Sequence, residues 1–288
     1  MGINLDQERL HPGSIGHDGR MRAQPGVGFR AESSEAGQGL DSSNQDSAWG
    51  YLPATSFRSR RSALSNAQRQ TWERLWPRLG MEAIGPSPAR SGGNGPLDTR
   101  AWFGRDAPLV LEIGCGSGKS TLAMAQAEPE VDVIAVEIYR RGLAQLLCAI
   151  DKLGDETSSA GTNIRLIRGN GIDVLNNLIA PDTLTGVRVF FPDPWPKARH
   201  HKRRMLQPAT MALIADRLLP GGILHAATDH SDYAEHIGVV GDAEERLIRV
   251  DPDTESLPIS AVRPTTKYER KAQDAGSVVA EFLWKKHG

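Results

Sequence analysis

The stretch Leu109-Val110-Leu111-Glu112-Ile113-Gly114-Cys115-Gly116-Ser117-Gly118-Lys119-Ser120-Thr121 contains the clearest structural pattern of this chain. Its apolar first part predicts a buried strand over 109–113, and a helix is predicted over 119–127. Three glycines join the two elements, and glycine lets the backbone turn tightly and lets a ligand approach without a Cβ in the way. The stretch therefore predicts a strand–turn–helix unit of a parallel α/β sheet, with a ligand site at the turn.

Spacing separates the nucleotide-type ligands that such a turn can hold. A P-loop needs four residues between its first glycine and its Gly-Lys-Ser/Thr ending. Only three residues lie between Gly114 and Gly118, so this stretch does not fit a P-loop. A dinucleotide fingerprint would need glycine where Lys119 stands. The remaining pattern, E-x-G-x-G-x-G, is the form found at the S-adenosylmethionine site of Rossmann-like methyltransferases. A plain tight turn without a ligand is the alternative.

Strands and helices alternate along the rest of the chain, which predicts an α/β fold with a mostly parallel sheet and helices on both faces. Before the sheet, Ser65-Asn66-Ala67-Gln68 fits a capping box, and Pro77 is predicted to end the helix that follows. The further predicted strands are 131–136, 163–168, 187–191, 223–227 and 277–284, and the further helices are 139–153, a helix from Pro208 that Pro220-Gly221-Gly222 closes, and 232–240.

Composition limits the domain count and the environment. The chain has 288 residues and a net charge of -1, so any nucleic-acid affinity must come from local clusters of cations. Residues 1–50 are rich in Gly, Ser, Gln and Asp and are predicted to be a disordered tail, which leaves 51–288 as one domain. Cys115 and Cys148 form neither a disulfide framework nor a metal cluster. Without a signal peptide or a membrane-length apolar run, the chain is predicted to be cytoplasmic.

Polar residues follow two of the predicted strands. Glu137 ends the second strand, where a carboxylate can accept both ribose hydroxyls of an adenosine, although an unpaired surface glutamate is the alternative. Asn170 follows the third strand, where its amide can bond to the adenine edge. With the glycine turn, these two positions predict an adenosine-containing cofactor.

The fourth predicted strand leads into Pro192-Asp193-Pro194-Trp195-Pro196 and then into a basic run, 197–204, which has five Lys or Arg residues and two histidines. In a doubly wound sheet this strand end lies beside the cofactor, so Asp193 is predicted near the reacting group. Trp195 either stacks on a base or packs. A charge run is usually a solvated face, but its place beside the site favours phosphate binding, which the upstream patch of Phe57, Arg58, Arg60 and Arg61 can extend.

At this point the sequence resembles a family. Phe191-Pro192-Asp193-Pro194-Trp195-Pro196-Lys197, followed by Arg199-His200-His201-Lys202-Arg203-Arg204, resembles the signature of tRNA (guanine-N7-)-methyltransferases, which methylate the guanosine at position 46 in the tRNA variable loop. Ala226-Ala227-Thr228-Asp229 and Thr265-Thr266-Lys267-Tyr268-Glu269-Arg270 match two further motifs of that family. The resemblance runs from about residue 55 to the end.

The resemblance implies a Rossmann-like class I S-adenosylmethionine-dependent methyltransferase with a seven-stranded sheet, S-adenosyl-L-methionine as cofactor and tRNA as partner. It implies neither a metal nor a membrane, and it predicts no oligomeric state. Asn170 stands where the family often has Asp. The residues implied are Asp193 for catalysis; Glu112, Gly114, Gly116, Gly118, Glu137, Asn170 and Asp193 for the cofactor; Lys197, Asp229, Thr266, Lys267, Tyr268 and Glu269 for the substrate; and Arg199, His200, His201, Lys202, Arg203 and Arg204 for RNA.

Two other functions stay open from the sequence. An adenine amino-group methyltransferase carries an Asn/Asp-Pro-Pro-aromatic motif after the same strand, and Asp193-Pro194-Trp195 is one residue short of it. A non-catalytic RNA-binding protein on the same fold is the second, and the intact carboxylates Glu112, Glu137 and Asp193 argue against it.

Overall fold

The computed structural model describes residues 63–84, 95–154, 163–264 and 278–288. The predicted tail, the basic patch at 57–61 and the motif at 265–270 therefore lie outside the described residues. The described elements are α1 (Asn66–Leu79), β1 (Gly80–Glu82), α2 (Thr99–Phe103), β2 (Leu109–Ile113), α3 (Lys119–Ala127), β3 (Asp132–Glu137), α4 (Arg140–Gly154), β4 (Ile164–Arg168), α5 (Gly171–Asn177), β5 (Leu184–Phe190), a basic 3₁₀ helix (Ala198–Arg203), α6 (Pro208–Arg217), β6 (Leu218–Thr228), α7 (Ser231–Asp242), β7 (Leu247–Arg249) and β8 (Ala280–Lys286).

The strands form one sheet in the order β1-β4-β3-β2-β5-β6-β8-β7. Neighbours from β1 to β6 are parallel, and β8 is antiparallel to both β6 and β7. The predicted α/β class is confirmed, but the described residues form eight strands and not seven, because the short β1 pairs with the edge of β4. The chain proceeds from β2 to β3 and β4 on one side and resumes with β5 on the other, so the strand order reverses between β2 and β5.

Alternate residues of the central strands pack on opposite faces of the sheet. In β2, Leu111 belongs to a cluster that includes residues of α5, α6 and α7, whereas Val110 belongs to a second cluster with residues of α1, α3 and α4. All five residues of β2 are buried, as a strand covered on both faces requires. The prediction of helices on both faces is confirmed.

Helix α1 begins at the predicted capping box: Ser65 Oγ accepts from the Gln68 backbone N–H, and Gln68 Oε1 accepts from the Ser65 N–H. The prediction that Pro77 ends this helix is wrong, since the helix continues to Leu79. Leu79 lies four residues after Leu75, and both side chains are buried, so packing outweighs the hydrogen bond that proline removes in the last turn.

The end of α6 also differs from the prediction. The helix starts at Pro208 as expected, but it ends at Arg217, before Pro220-Gly221-Gly222. Those three residues lie inside β6, where the pairing with β5 is irregular between Leu184 and Gly186. Gly221 has a φ of 82°, which suits a bulge in a strand.

Candidate active site

A cavity of about 280 Å³ opens at the carboxyl ends of β4, β3, β2 and β5, where the strand order reverses. This is where ligands bind in open α/β sheets. The loops that follow the four strands form its wall, and Met205 completes it. The lining residues are Ile113, Gly114, Gly116, Val136, Glu137, Ile138, Tyr139, Gly169, Asn170, Gly171, Phe190, Phe191, Pro192, Asp193 and Met205.

The glycine turn after β2 needs glycine for its backbone conformation. Gly114 has a φ of 80° and Gly116 a φ of 56°. Both angles lie in the left-handed region, which residues with a Cβ rarely adopt. Both residues face the cavity. Gly118 also has a positive φ, of 72°, but it does not line the cavity, and a Cβ there would lie 2.6 Å from the Leu146 side chain. Of the three glycines predicted for the cofactor, two therefore lie at the cavity and Gly118 allows α3 and α4 to pack closely.

Glu137, at the end of β3, lies against the glycine turn. Its Oε2 accepts from the Gly116 N–H at 2.9 Å, and its Oε1 accepts from the N–H groups of Ile138 at 2.7 Å and Tyr139 at 2.9 Å. Burial raises the pKa of this carboxyl group, the backbone donors oppose that rise, and the nearby Asp193 charge adds to it. Three of the carboxylate's roughly four acceptor positions are thus in use, which leaves one for a ribose hydroxyl. Acceptance from both ribose hydroxyls stays a prediction.

Asn170 follows β4 and caps α5. Its Oδ1 accepts from the Ile172 N–H at 2.9 Å, so the side chain is held at the cavity wall. The capping bond directs the amide oxygen to the helix. The Nδ2 group is accordingly the one that can donate to a ring nitrogen of a bound base.

Glu112, which is also predicted for the cofactor, does not line the cavity. Its side chain is buried, it is absent from the cavity lining, and it stands beside Arg188, its partner in the pairing of β2 with β5. Burial raises the pKa of Glu112 to about 7, and the Arg188 charge opposes the rise. Arg188 in turn donates to Glu128 at 3.0 Å. The structure therefore places Glu112, like Gly118, outside the cavity lining, and it buries Glu112 beside an arginine.

The loop that carries Asp193 has an unusual backbone. Phe191, with a φ of 51°, and Trp195, with a φ of 44°, flank Asp193 in the left-handed region, where a residue other than glycine is strained. The Phe191 N–H donates to the Ala227 carbonyl at 2.8 Å. Asp193 lines the cavity together with Glu137 and Asn170, so these three predicted residues are brought together.

Trp195 is only 8 % exposed, beneath the basic 3₁₀ helix. The Arg203 guanidinium lies 5.0 Å from the centre of the indole ring, and the His200 ring is 5.8 Å away. Of the two alternatives for Trp195, this structure favours packing over stacking on a base. Partial desolvation and the neighbouring cations lower the pKa of His200.

The basic run divides into two parts. Lys197, Arg199 and Lys202 are exposed, and His200, His201 and Arg203 are half-buried, so these six side chains can reach a polyanion. Arg204 differs, because its side chain is 1 % exposed and makes contacts only inside the protein. Burial therefore sets Arg204 apart from the exposed cations of the run, and its predicted contact with RNA stays a prediction.

Asp229 is exposed and outside the cavity lining, at the end of β6. Thr266, Lys267, Tyr268 and Glu269 lie outside the described residues. Within the described ranges, no group of three or more His, Cys, Asp or Glu side chains could hold a metal ion. No helix in this part of the chain is long and apolar enough to cross a membrane.

Sequence reasoning missed much of the apolar wall. Ile138, Tyr139 and Phe191 directly follow strands, and that position is the signal that could have identified them. Met205 gave no such signal, because it follows the basic run and reaches the cavity only through the path of the folded chain.

The comparisons with known proteins first give the class. A family model described as "Putative methyltransferase" matches residues 106–282, more than half of the chain. These residues contain the glycine turn and all of the cavity lining. The chain is thus a member of a methyltransferase family, as its sheet and the position of its cavity suggest.

The relatives give the particular family. A tRNA (guanine-N(7)-)-methyltransferase of Mycobacterium tuberculosis (strain ATCC 25618 / H37Rv) is 69 % identical over 272 residues, which cover 94 % of this chain and 96 % of the relative. One of Mycobacterium ulcerans (strain Agy99) is 66 % identical over 278 residues, covering 94 % and 99 %. This chain belongs to the tRNA (guanine-N(7)-)-methyltransferase family. Among solved structures, the 16S rRNA methyltransferase KamB aligns with 71 % of this chain at 13 % identity and a TM-score of 0.44, which adds nothing to the assignment.

Proposed function

We propose that this protein transfers a methyl group from S-adenosyl-L-methionine to N7 of the guanosine at position 46 in the variable loop of tRNA. The observation that carries the proposal is the cavity at the reversal of strand order, where Asp193 meets Glu137 and Asn170 and is followed in the chain by exposed cations. Membership of the family supports the reaction type and the class of substrate.

The residues at the cavity fit the cofactor. Gly114 and Gly116 leave open space on the cavity side of the turn, where a Cβ would meet nothing within 4 Å. Glu137 can accept from one ribose hydroxyl, and Asn170 can donate to the adenine ring. Ile138 and Val136 add apolar surface, as a flat aromatic base requires. When bound, S-adenosyl-L-methionine supplies a methyl group on a positively charged sulfur.

Asp193 is proposed as the catalytic residue, through position and charge. N7 of guanine carries a lone pair at neutral pH, so no side chain has to remove a proton to create the nucleophile. Asp193 would accept hydrogen bonds from the guanine and stabilise the positive charge that methylation leaves on the ring. Asp229 is proposed to share this work at the guanine N1–H and amino group. Most of the rate gain would come from orientation.

The exposed cations are proposed to bind the tRNA backbone. Lys197, Arg199 and Lys202 stand directly after the Asp193 loop, so phosphates bound there would leave a nearby base at the cavity mouth. Residues 266–269 are proposed to bind the substrate as well. We also propose that 51–288 is the catalytic domain and that the protein acts in the cytoplasm.

Methyl transfer from labelled S-adenosyl-L-methionine to bulk tRNA that lacks 7-methylguanosine tests this function. The expected result is labelled 7-methylguanosine after digestion to nucleosides. A methylated adenine would instead support the adenine amino-group reaction. Binding of tRNA without any methylated nucleoside would support a non-catalytic RNA-binding protein.

A further inference from the structure

Arg204 joins the Asp193 loop to the start of α7 through contacts in three directions. Its Nε donates to the Pro194 carbonyl at 2.9 Å. One terminal nitrogen pairs with the Asp232 carboxylate and lies 3.1 Å from His201 Nε2. The guanidinium also lies 4.8 Å from the centre of the buried Tyr233 ring. A guanidinium makes such contacts in a fixed geometry, because its donors are held in one plane whose face can lie against a ring.

The bond to Pro194 is made at the strained part of the loop. The Pro194 carbonyl belongs to the peptide that leads into Trp195, whose φ is 44°. A residue in this conformation stays there only when surrounding contacts fix it. Asp193, which lines the cavity, is directly bonded to Pro194, so the hydrogen bond to the Pro194 carbonyl lies one residue from the backbone that carries Asp193.

Burial separates Arg204 from the cations around it. Its side chain is 1 % exposed, whereas Lys202 is exposed and Arg203 is half-buried over Trp195. The Asp232 carboxylate already balances its charge, and the hydrogen bond and charge of Arg204 lower the pKa of Asp232. A phosphate would have to replace this carboxylate and open the loop.

We infer that Arg204 is a positioning residue, which holds the Asp193 loop in its strained conformation against α7, and not an RNA contact. The inference rests on the proposed function, since it assigns a task within the same reaction. It also explains why Met205 reaches the cavity wall, because Arg204 anchors the chain one residue earlier.

Steady-state methylation of tRNA by Arg204→Lys and Lys202→Ala tests the inference. Arg204→Lys keeps the positive charge but lacks the planar guanidinium, so it cannot reproduce the fixed geometry that joins Pro194, Asp232 and the Tyr233 ring. We expect its kcat to fall about tenfold to a hundredfold, as for a displaced catalytic group, with the KM for tRNA and the salt dependence of tRNA binding nearly unchanged. Lys202→Ala should instead raise KM and reduce the salt slope by about one.

Asp232→Asn supplies a second test from the other side of the pair. Asp232 is 54 % exposed, so its replacement leaves the core intact, and we expect a smaller loss of kcat in the same direction. If Arg204→Lys shows no cooperative melting transition, it is not folded, and Asp232→Asn alone then tests the positioning role of Arg204. Wild-type kcat in the folded variants, or a salt slope for Arg204→Lys that falls as for Lys202→Ala, would overturn the inference. If the wild-type protein methylates no tRNA, it is the proposed function that fails.

Discussion

At the scale of single residues, the candidate site depends on carboxylates in different environments. Glu137 is fixed by three backbone donors, Asp193 extends into the cavity from a strained loop, and Glu112 is buried beside Arg188. The sequence pattern marks all three as acids next to strand ends. The pattern cannot distinguish their tasks, because the folded chain decides whether each side chain faces the cavity or is buried beside another strand.

Asp193→Asn is expected to reduce kcat by about 10² to 10³, the usual effect of removing one charge-stabilising group from an active site. The amide keeps the shape but cannot balance the positive charge on a methylated guanine. Binding of tRNA, measured by filter binding, should stay nearly normal. Asp106→Asn, at an exposed position outside the cavity lining, is the matched control. Wild-type turnover by Asp193→Asn would exclude the catalytic assignment.

At the scale of elements, the basic 3₁₀ helix places its exposed cations beside the Asp193 loop. Arg199→Ala combined with Lys202→Ala is expected to weaken tRNA binding and to lower the slope of log affinity against log salt by about two, since each phosphate contact contributes about one. Binding at several salt concentrations measures the slope. Lys152→Ala, an exposed position on α4, should leave it unchanged. An unaltered slope in the double variant would exclude phosphate binding by this helix.

Elements whose bounds depend on local sequence were predictable, and the three-residue strands were not. β2 and α3 have the predicted bounds, because a continuous apolar run and a glycine turn determine them locally. β1 and β7 have only three residues each, too few for periodicity to show. The predictions that Pro77 ends α1 and that Pro220-Gly221-Gly222 closes α6 are wrong because tertiary contacts override local preference. These contacts are the burial of Leu79 in the first case and the pairing of β6 with β5 in the second.

At the scale of the whole molecule, the sheet brings four strand ends together that are far apart in sequence. The alternation of strands and helices predicted this edge of the sheet, so Glu137, Asn170 and Asp193 could be grouped from sequence. The burial of Arg204 could not be predicted, because its partner Asp232 is supplied by another helix. Residues in a charge run look alike until their neighbours are known.

The free energy of unfolding should depend on pH because of Glu112. Its pKa in the folded state is about 7, against an ordinary value of 4.5, so the folded state retains a proton that the unfolded state releases. The stability due to this proton is present below pH 4.5 and is lost as the pH rises to about 7. The melting temperature of Glu112→Gln should therefore rise relative to that of the wild type between about pH 5 and about pH 8.

Thermal melting of both proteins across this range checks that prediction. Glu73→Gln, on the exposed face of α1, controls for the loss of a surface carboxylate. A difference between Glu112→Gln and wild type that does not vary with pH would contradict the buried, protonated state of Glu112.

Replacement of the accepting atom tests the claim that this protein methylates N7 of one guanosine in tRNA. Two tRNA transcripts, one with guanosine and one with 7-deazaguanosine at position 46, differ only in the nitrogen that would receive the methyl group. With labelled S-adenosyl-L-methionine, we predict full incorporation into the first and none into the second, at similar binding affinity. Equal incorporation into both transcripts would contradict the claim.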